Sequence, residues 1–184
     1  MQGPRPSLAY KNVGLIRFGS LGQTIAGMLA PFKVDLAPFS RSGRYGSYTM
    51  NRLDELLPQC NEMILILPAT LETQKLMNKE RLALMKDGTM PVNVARGAIV
   101  DTDALLAELQ RGRIRAALDV VNQEPLPPDH PLWQSPRLML SPHVGGYSST
   151  FEPGMLALLH TQFDRLAAGE QPLNIVVGIA GDTQ

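Results

Sequence analysis

NVGLIRFGSLG, residues 12–22, is where the sequence first commits to a fold. The apolar run Val13–Phe18 reads as a buried strand, the glycines that follow as a tight turn, and Leu21 onward as a helix, with Leu21, Ile25, Met28 and Leu29 at helical spacing. A strand that turns on glycine into a helix is the outline of the G-x-G-x-x-G dinucleotide loop. There the first glycine allows the turn, the second admits the pyrophosphate to the backbone, and the third packs helix against strand. Gly19 and Gly22 fill the second and third places, with Ser20 and Leu21 between them, and Arg17 stands in the first. A helix N-terminus here would offer free N–H groups and a positive dipole end to phosphate. The same residues also fit a plain glycine turn, so the choice rests on the rest of the chain.

Outward from this loop, apolar runs and helical periods alternate. VDLAPF is expected to be a strand, irregular or late-ending because of Pro38, followed by a short helix in LDELLPQC and a strand in MILILP. NKERLALM is a helix, TMPVNVA a strand, DTDALLAELQRG a helix closed by Gly112, and IRAALDVV a strand. A proline-rich loop, EPLPPDHPLWQSP, precedes a last strand in LMLSPH and a closing helix from Pro153 to Gly169. Strands interleaved with single helices imply parallel pairing through right-handed crossovers, hence an α/β, Rossmann-type doubly wound sheet in one domain. Its expected span is 12–177, with 1–11 a linker or truncated edge and 178–184 a flexible tail.

Composition narrows the partners. Seventeen basic and seventeen acidic side chains cancel, which gives no electrostatic case for nucleic acid or an anionic membrane and favours a small molecule. The single Cys60 cannot form an intrachain disulfide, and MQGPRPSLAYK lacks the apolar core of a signal peptide. A cytoplasmic setting is expected. No metal cluster stands out.

The end of the second strand bears on the cofactor. An acidic residue about 20 positions beyond the glycine loop would bond the ribose of NAD. Here FSRSG places Ser40 18 residues past Gly22, with Arg41 next. A hydroxyl beside a guanidinium suits a 2′-phosphate, so NADP is favoured over NAD.

Three further stretches, VNVARGAIVDTDALLAEL, RAALDVVNQEPLPPDHPLW and LSPHVGG, together with the loop resemble the nucleotide-binding domain of the D-2-hydroxyacid dehydrogenases from about Val13 to Val177. In that family an Arg-Gly, a Glu-Pro and a Pro-His, each after a strand, converge. The resemblance implies hydride transfer between NAD(P)H and a small 2-oxo or 2-hydroxy acid of the glyoxylate or hydroxypyruvate kind. By it Arg96 grips the substrate carboxylate, a task suited to a planar two-pronged guanidinium, and His143 is the general acid/base. Glu124 is the acidic partner that fixes the histidine's tautomer and favours imidazolium, and Asp119 contacts the nicotinamide carboxamide. Pro68 and Thr73 line the adenosine side, and Ala95 and Gly145 complete the cofactor-binding set. His130 and His160 read as structural, and Asp101 and Asp103 as helix caps.

The sequence departs from the family at three points. Arg17 replaces a glycine, and GRIRAALDV is one residue shorter than usual. The chain also starts about a dozen residues before the first strand, without the N-terminal part of the second domain that closes over substrate in the family. Two functions follow: an NAD(P)-dependent 2-hydroxyacid dehydrogenase, or a non-catalytic dinucleotide-binding or dimerising module akin to nucleotide-sensing corepressors of the same superfamily. Homodimerisation is an expectation from the resemblance alone.

Overall fold

The computed structural model describes residues 7–175; the expected tail, 178–184, lies outside them. The chain divides after Val144 into two compact units.

The first unit is built on a seven-stranded sheet in the order β3-β2-β1-β4-β5-β6-β7, every neighbouring pair parallel. Its strands are β1 (Asn12–Ile16), β2 (Asp35–Ser40), β3 (Tyr48–Thr49), β4 (Glu62–Leu65), β5 (Met90–Asn93), β6 (Ala116–Leu118) and β7 (Leu138–Leu140). Helices α1 (Ser20–Leu29), α2 (Leu53–Leu56), α3 (Lys79–Leu84) and α4 (Thr102–Gln110) connect them. Parallel strands cannot be joined by a hairpin, so the chain pays out a crossover after most of them. The neighbours β1 and β4 mark the point where the winding reverses, and ligands bind beyond the strand ends there.

Local chemistry explains the helix starts. Asn78 caps α3 by accepting from the Arg81 amide at 3.0 Å, and Asp101 caps α4 by accepting from Ala104 at 3.2 Å. Asp101 thus has the capping role its position implied. Pro38 does not break β2: the strand runs through it, and its outer neighbour β3 pairs only with Phe39 and Ser40. The two-residue β3 has no apolar run or period of its own to mark it.

One face of the sheet carries the core. Ile16, Phe39, Met63, Leu65, Ala116 and Leu118 pack there against Leu53, Leu57, Met77, Leu82, Ile99, Leu105 and Leu109 from the connections. Each fully buried large side chain contributes about 1.5–3 kcal/mol relative to an exposed one. At the opposite end of the sheet from the ligand crevice, Glu62 is buried between Lys11 at 2.6 Å and Arg115 at 3.2 Å. Cys60 is a free buried thiol pushed up to about 11 by burial, which leaves it unreactive.

The second unit contains α5 (Phe151–Ala167), within two residues of the expected closing helix, with Gln162 accepting from and donating to the backbone of Leu173.

Candidate active site

The functional side chains of the first unit sit just past strand ends, where pairing stops while the chain is still apolar enough to stay packed. Gly19 is the N-cap of α1, and Ser20, Leu21 and Gly22 form its first turn. They line a cavity of about 390 Å³ together with Arg17 and Thr24. The two glycines do different work. A Cβ on Gly22 would stand 2.5 Å from the carbonyl oxygen of Arg17, so only glycine lets helix and turn approach. A Cβ on Gly19 would meet nothing within 4 Å; it would project into open space of the kind a phosphate needs. The first turn has no acidic residue and no side-chain cap, so its N–H groups face the cavity without a carboxylate competitor.

Beyond β2, the hydroxyls of Ser40 and Ser47 share a hydrogen bond at 2.7 Å. Arg41 is exposed, and neither Arg41 nor Arg44 has a carboxylate partner among the described residues. Ser47 belongs to this group although the sequence singled out only its neighbours; no motif marks it. Pro68 and Thr73 belong to one small loop. The Thr73 hydroxyl donates to the Pro68 carbonyl at 2.7 Å and accepts from the Thr70 amide at 2.8 Å, which shapes the loop.

The turn after β5 carries Arg96. Ala95 is buried, and its amide donates to Asn93 Oδ1 at 3.1 Å, while Asn93 Nδ2 donates to the Arg96 carbonyl at 2.9 Å. Asn93 is therefore the buried clamp that sets this turn. It sits inside an apolar strand, where a lone polar residue gives no sign of which backbone groups it will meet. Arg96 is exposed, and its Nη1 donates to the Ala95 carbonyl at 2.6 Å. Gly97 makes the next contact possible: a Cβ there would fall 1.9 Å from the carbonyl of Val121. This close approach places the Arg96 turn against the segment that carries Glu124.

Glu124 and His143 meet across the ends of β6 and β7. His143 Nδ1 lies 2.8 Å from Glu124 Oε2, while Glu124 Oε1 accepts from the Val121 amide at 2.9 Å. Burial pushes the Glu124 carboxyl up, but the His143 ring, the Val121 amide and the charge of Arg96 outweigh it and hold the group below its ordinary value. An ionised carboxylate only accepts, so Nδ1 carries the hydrogen of this contact and Nε2 is left to exchange a proton with a ligand. Asp119 fixes the neighbouring backbone, its Oδ1 accepting from the Val144 amide at 3.1 Å. The Glu124–Pro125 peptide is cis. A crevice of about 650 Å³ opens onto the pair, lined by Asp119, Val121, Leu126, Trp133, Glu124 and His143.

Glu124 and His143 are thus brought together, with the charge of Arg96 acting on Glu124; an imidazole held by a carboxylate can move a proton, and a guanidinium can hold a substrate carboxylate. Gly145 falls in the second unit. His130 is structural, accepting from the Leu132 amide at 3.2 Å through Nδ1. Among the described residues no group of three metal-ligating side chains is present, and no helix is long and apolar enough to cross a membrane.

The chain is 35% identical over 178 residues to a glyoxylate reductase of Thermofilum pendens, covering 93% of this chain and 52% of that protein. It is similar to the D-isomer specific 2-hydroxyacid dehydrogenase of Xanthobacter autotrophicus solved with NADPH and MES, at 34% identity and a TM-score of 0.85, covering 96% of this chain and 75% of that one. It is also similar to the NADPH-dependent glyoxylate/hydroxypyruvate reductase of Sinorhizobium meliloti solved with NADP and sulfate, at 27% identity and a TM-score of 0.86, covering 96% and 58%. The chain spans about half the length of the curated relatives it matches. Residues 2–145 match the D-isomer specific 2-hydroxyacid dehydrogenase, NAD binding domain, and with the parallel sheet that this domain requires, the chain belongs to that family.

Proposed function

We propose that this chain carries the cofactor-binding and proton-transfer half of an oxidoreductase that interconverts a small 2-oxo acid, of the glyoxylate or hydroxypyruvate kind, with its 2-hydroxy acid. The single observation that carries the reading is the 2.8 Å contact between His143 Nδ1 and Glu124 Oε2 beside Arg96. The glycine loop and the first turn of α1 would hold the pyrophosphate, and the Ser40, Arg41 and Ser47 group the ribose side. The nicotinamide, when bound, supplies or accepts the hydride. Arg96 holds the substrate carboxylate, which fixes C2 and its carbonyl oxygen against His143. Nε2 delivers a proton to that oxygen in reduction and takes it back in oxidation, while Glu124 keeps the ring in place and balances the positive charge.

NADP is the favoured cofactor. A hydroxyl pair and two uncommitted guanidinium groups suit a 2′-phosphate, and no carboxylate occupies the place that would bond a free 2′-hydroxyl. The NADPH and NADP named with the similar structures support this choice. The buried Cys60 fits a reducing, cytoplasmic setting.

The test is oxidation of NADPH and NADH in the presence of glyoxylate and hydroxypyruvate, with a direct cofactor titration alongside. His143→Ala is expected to lower turnover by about 100-fold or more while cofactor affinity is kept. Cofactor binding without turnover in the wild-type chain would favour the non-catalytic module instead.

A further inference from the structure

We propose that Arg17 is a phosphate-binding residue, its guanidinium pairing with the pyrophosphate bridge of the dinucleotide. The proposal rests on the dinucleotide-binding reading above and adds a residue where the loop motif calls for glycine.

Three observations converge on it. The first is conformational. Arg17 has φ +87°, outside the window of about +50 to +70° in which L-residues tolerate a left-handed backbone, whereas most other described non-glycine residues with positive φ lie near or within it. Its amide and that of Phe18 both donate to the Phe39 carbonyl, at 2.9 and 2.8 Å, so the turn is held in this shape from the neighbouring strand. Glycine would adopt it without strain, and a strained side chain at a ligand site points to a use for that side chain.

The second is charge placement. Arg52, Arg81, Arg111, Arg113, Arg115 and Arg165 each pair with a carboxylate. Arg17, Arg41, Arg44 and Arg96 have no such partner among the described residues, and these four follow the C-terminal ends of β1, β2 and β5. These four thus stand on the side of the sheet where an anionic ligand would bind, whereas Arg137, which also lacks a carboxylate partner among the described residues, precedes β7 at the other end and donates to the Gly112 carbonyl at 2.8 Å.

The third is the cavity. Arg17 lines it beside Gly19 and the uncapped first turn of α1, and no acidic residue lines it with them. The motif reaches phosphate through backbone amides alone; here a guanidinium adds two parallel N–H donors and a full charge. Arg17 thereby offsets the strain that its own side chain imposes on the turn.

The experiment compares wild type with Arg17→Gln, Arg17→Lys and Arg17→Gly by calorimetric titration of two probes at low and raised ionic strength. ADP-ribose contains the pyrophosphate; adenosine 2′-phosphate lacks it. Arg17→Gln keeps the strained backbone and removes the charge, and is expected to weaken ADP-ribose about 10-fold at low salt, leave adenosine 2′-phosphate unchanged, and flatten the salt dependence. Arg17→Lys retains most of the affinity. Arg17→Gly raises the melting temperature while weakening ADP-ribose, a split that obstruction of the loop by arginine could not produce. Unchanged or tighter ADP-ribose binding by the Gln and Gly variants overturns the proposal and leaves the dinucleotide reading standing. An equal loss for both probes assigns the effect to a distorted loop and also overturns it. If wild type binds neither ADP-ribose nor NADPH, the dinucleotide reading fails and the proposal with it.

Discussion

Glu124 keeps its charge where burial works against it, because three groups that prefer the anion surround it: the His143 ring, the Val121 amide and Arg96. Its folded value lies below its unfolded one, so its contribution to stability is complete above the ordinary carboxylate range and is lost as pH falls through the depressed value. The contact with His143 should therefore survive mild acid. Glu124→Gln retains the size and an acceptor but removes the charge. Turnover is expected to fall by about 100-fold with the cofactor dissociation constant unchanged, and the stability difference from wild type should vanish in strong acid; denaturant melts across pH check the second half. The residues of this dyad were legible in the sequence through the family resemblance that EP and PH carry, not from their spacing alone. Asn93 was not legible. An asparagine in a strand announces nothing until the Ala95 and Arg96 backbone folds around its amide.

Among the elements, the strands taught the most. Four apolar runs extend beyond the strands they contain: MILILP continues past Leu65, TMPVNVA past Asn93, IRAALDVV past Leu118 and LMLSPH past Leu140. Periodicity reports burial, and Ile66, Leu67, Ala95 and Val120 in these extensions stay buried although their backbone has left the ladder. The order of elements was therefore readable and their ends were not. The turns give a sharp contrast in glycine function. Gly19→Ala is expected to fold with a melting temperature close to wild type, since its methyl meets no protein atom, and to lose NADPH affinity by about 10-fold or more as it occupies the phosphate's space. Gly97→Ala drives a methyl into the Val121 carbonyl and should cost about 3 kcal/mol or more, or abolish folding. Comparable melting temperatures for the two variants would contradict the assignment.

For the molecule as a whole, the alternation of runs was enough to predict a doubly wound parallel sheet, because parallel strands require crossovers and crossovers have one hand; the strand order, with its reversal between β1 and β4, comes from the structure. Composition was enough to direct attention to a small-molecule ligand. What neither could give is the convergence of segments more than twenty residues apart: Gly97 against Val121, and Asp119 on the Val144 amide. That convergence is where catalysis is expected. It is tested most directly by incubating the chain with NADPH deuterated at the transferable position and glyoxylate or hydroxypyruvate, and reading the product by mass spectrometry. The account predicts a 2-hydroxy acid carrying one deuterium at C2 from the wild-type chain and none above background from His143→Ala. Saturated cofactor binding with no labelled product from the wild type, or equal label from both chains, would contradict it.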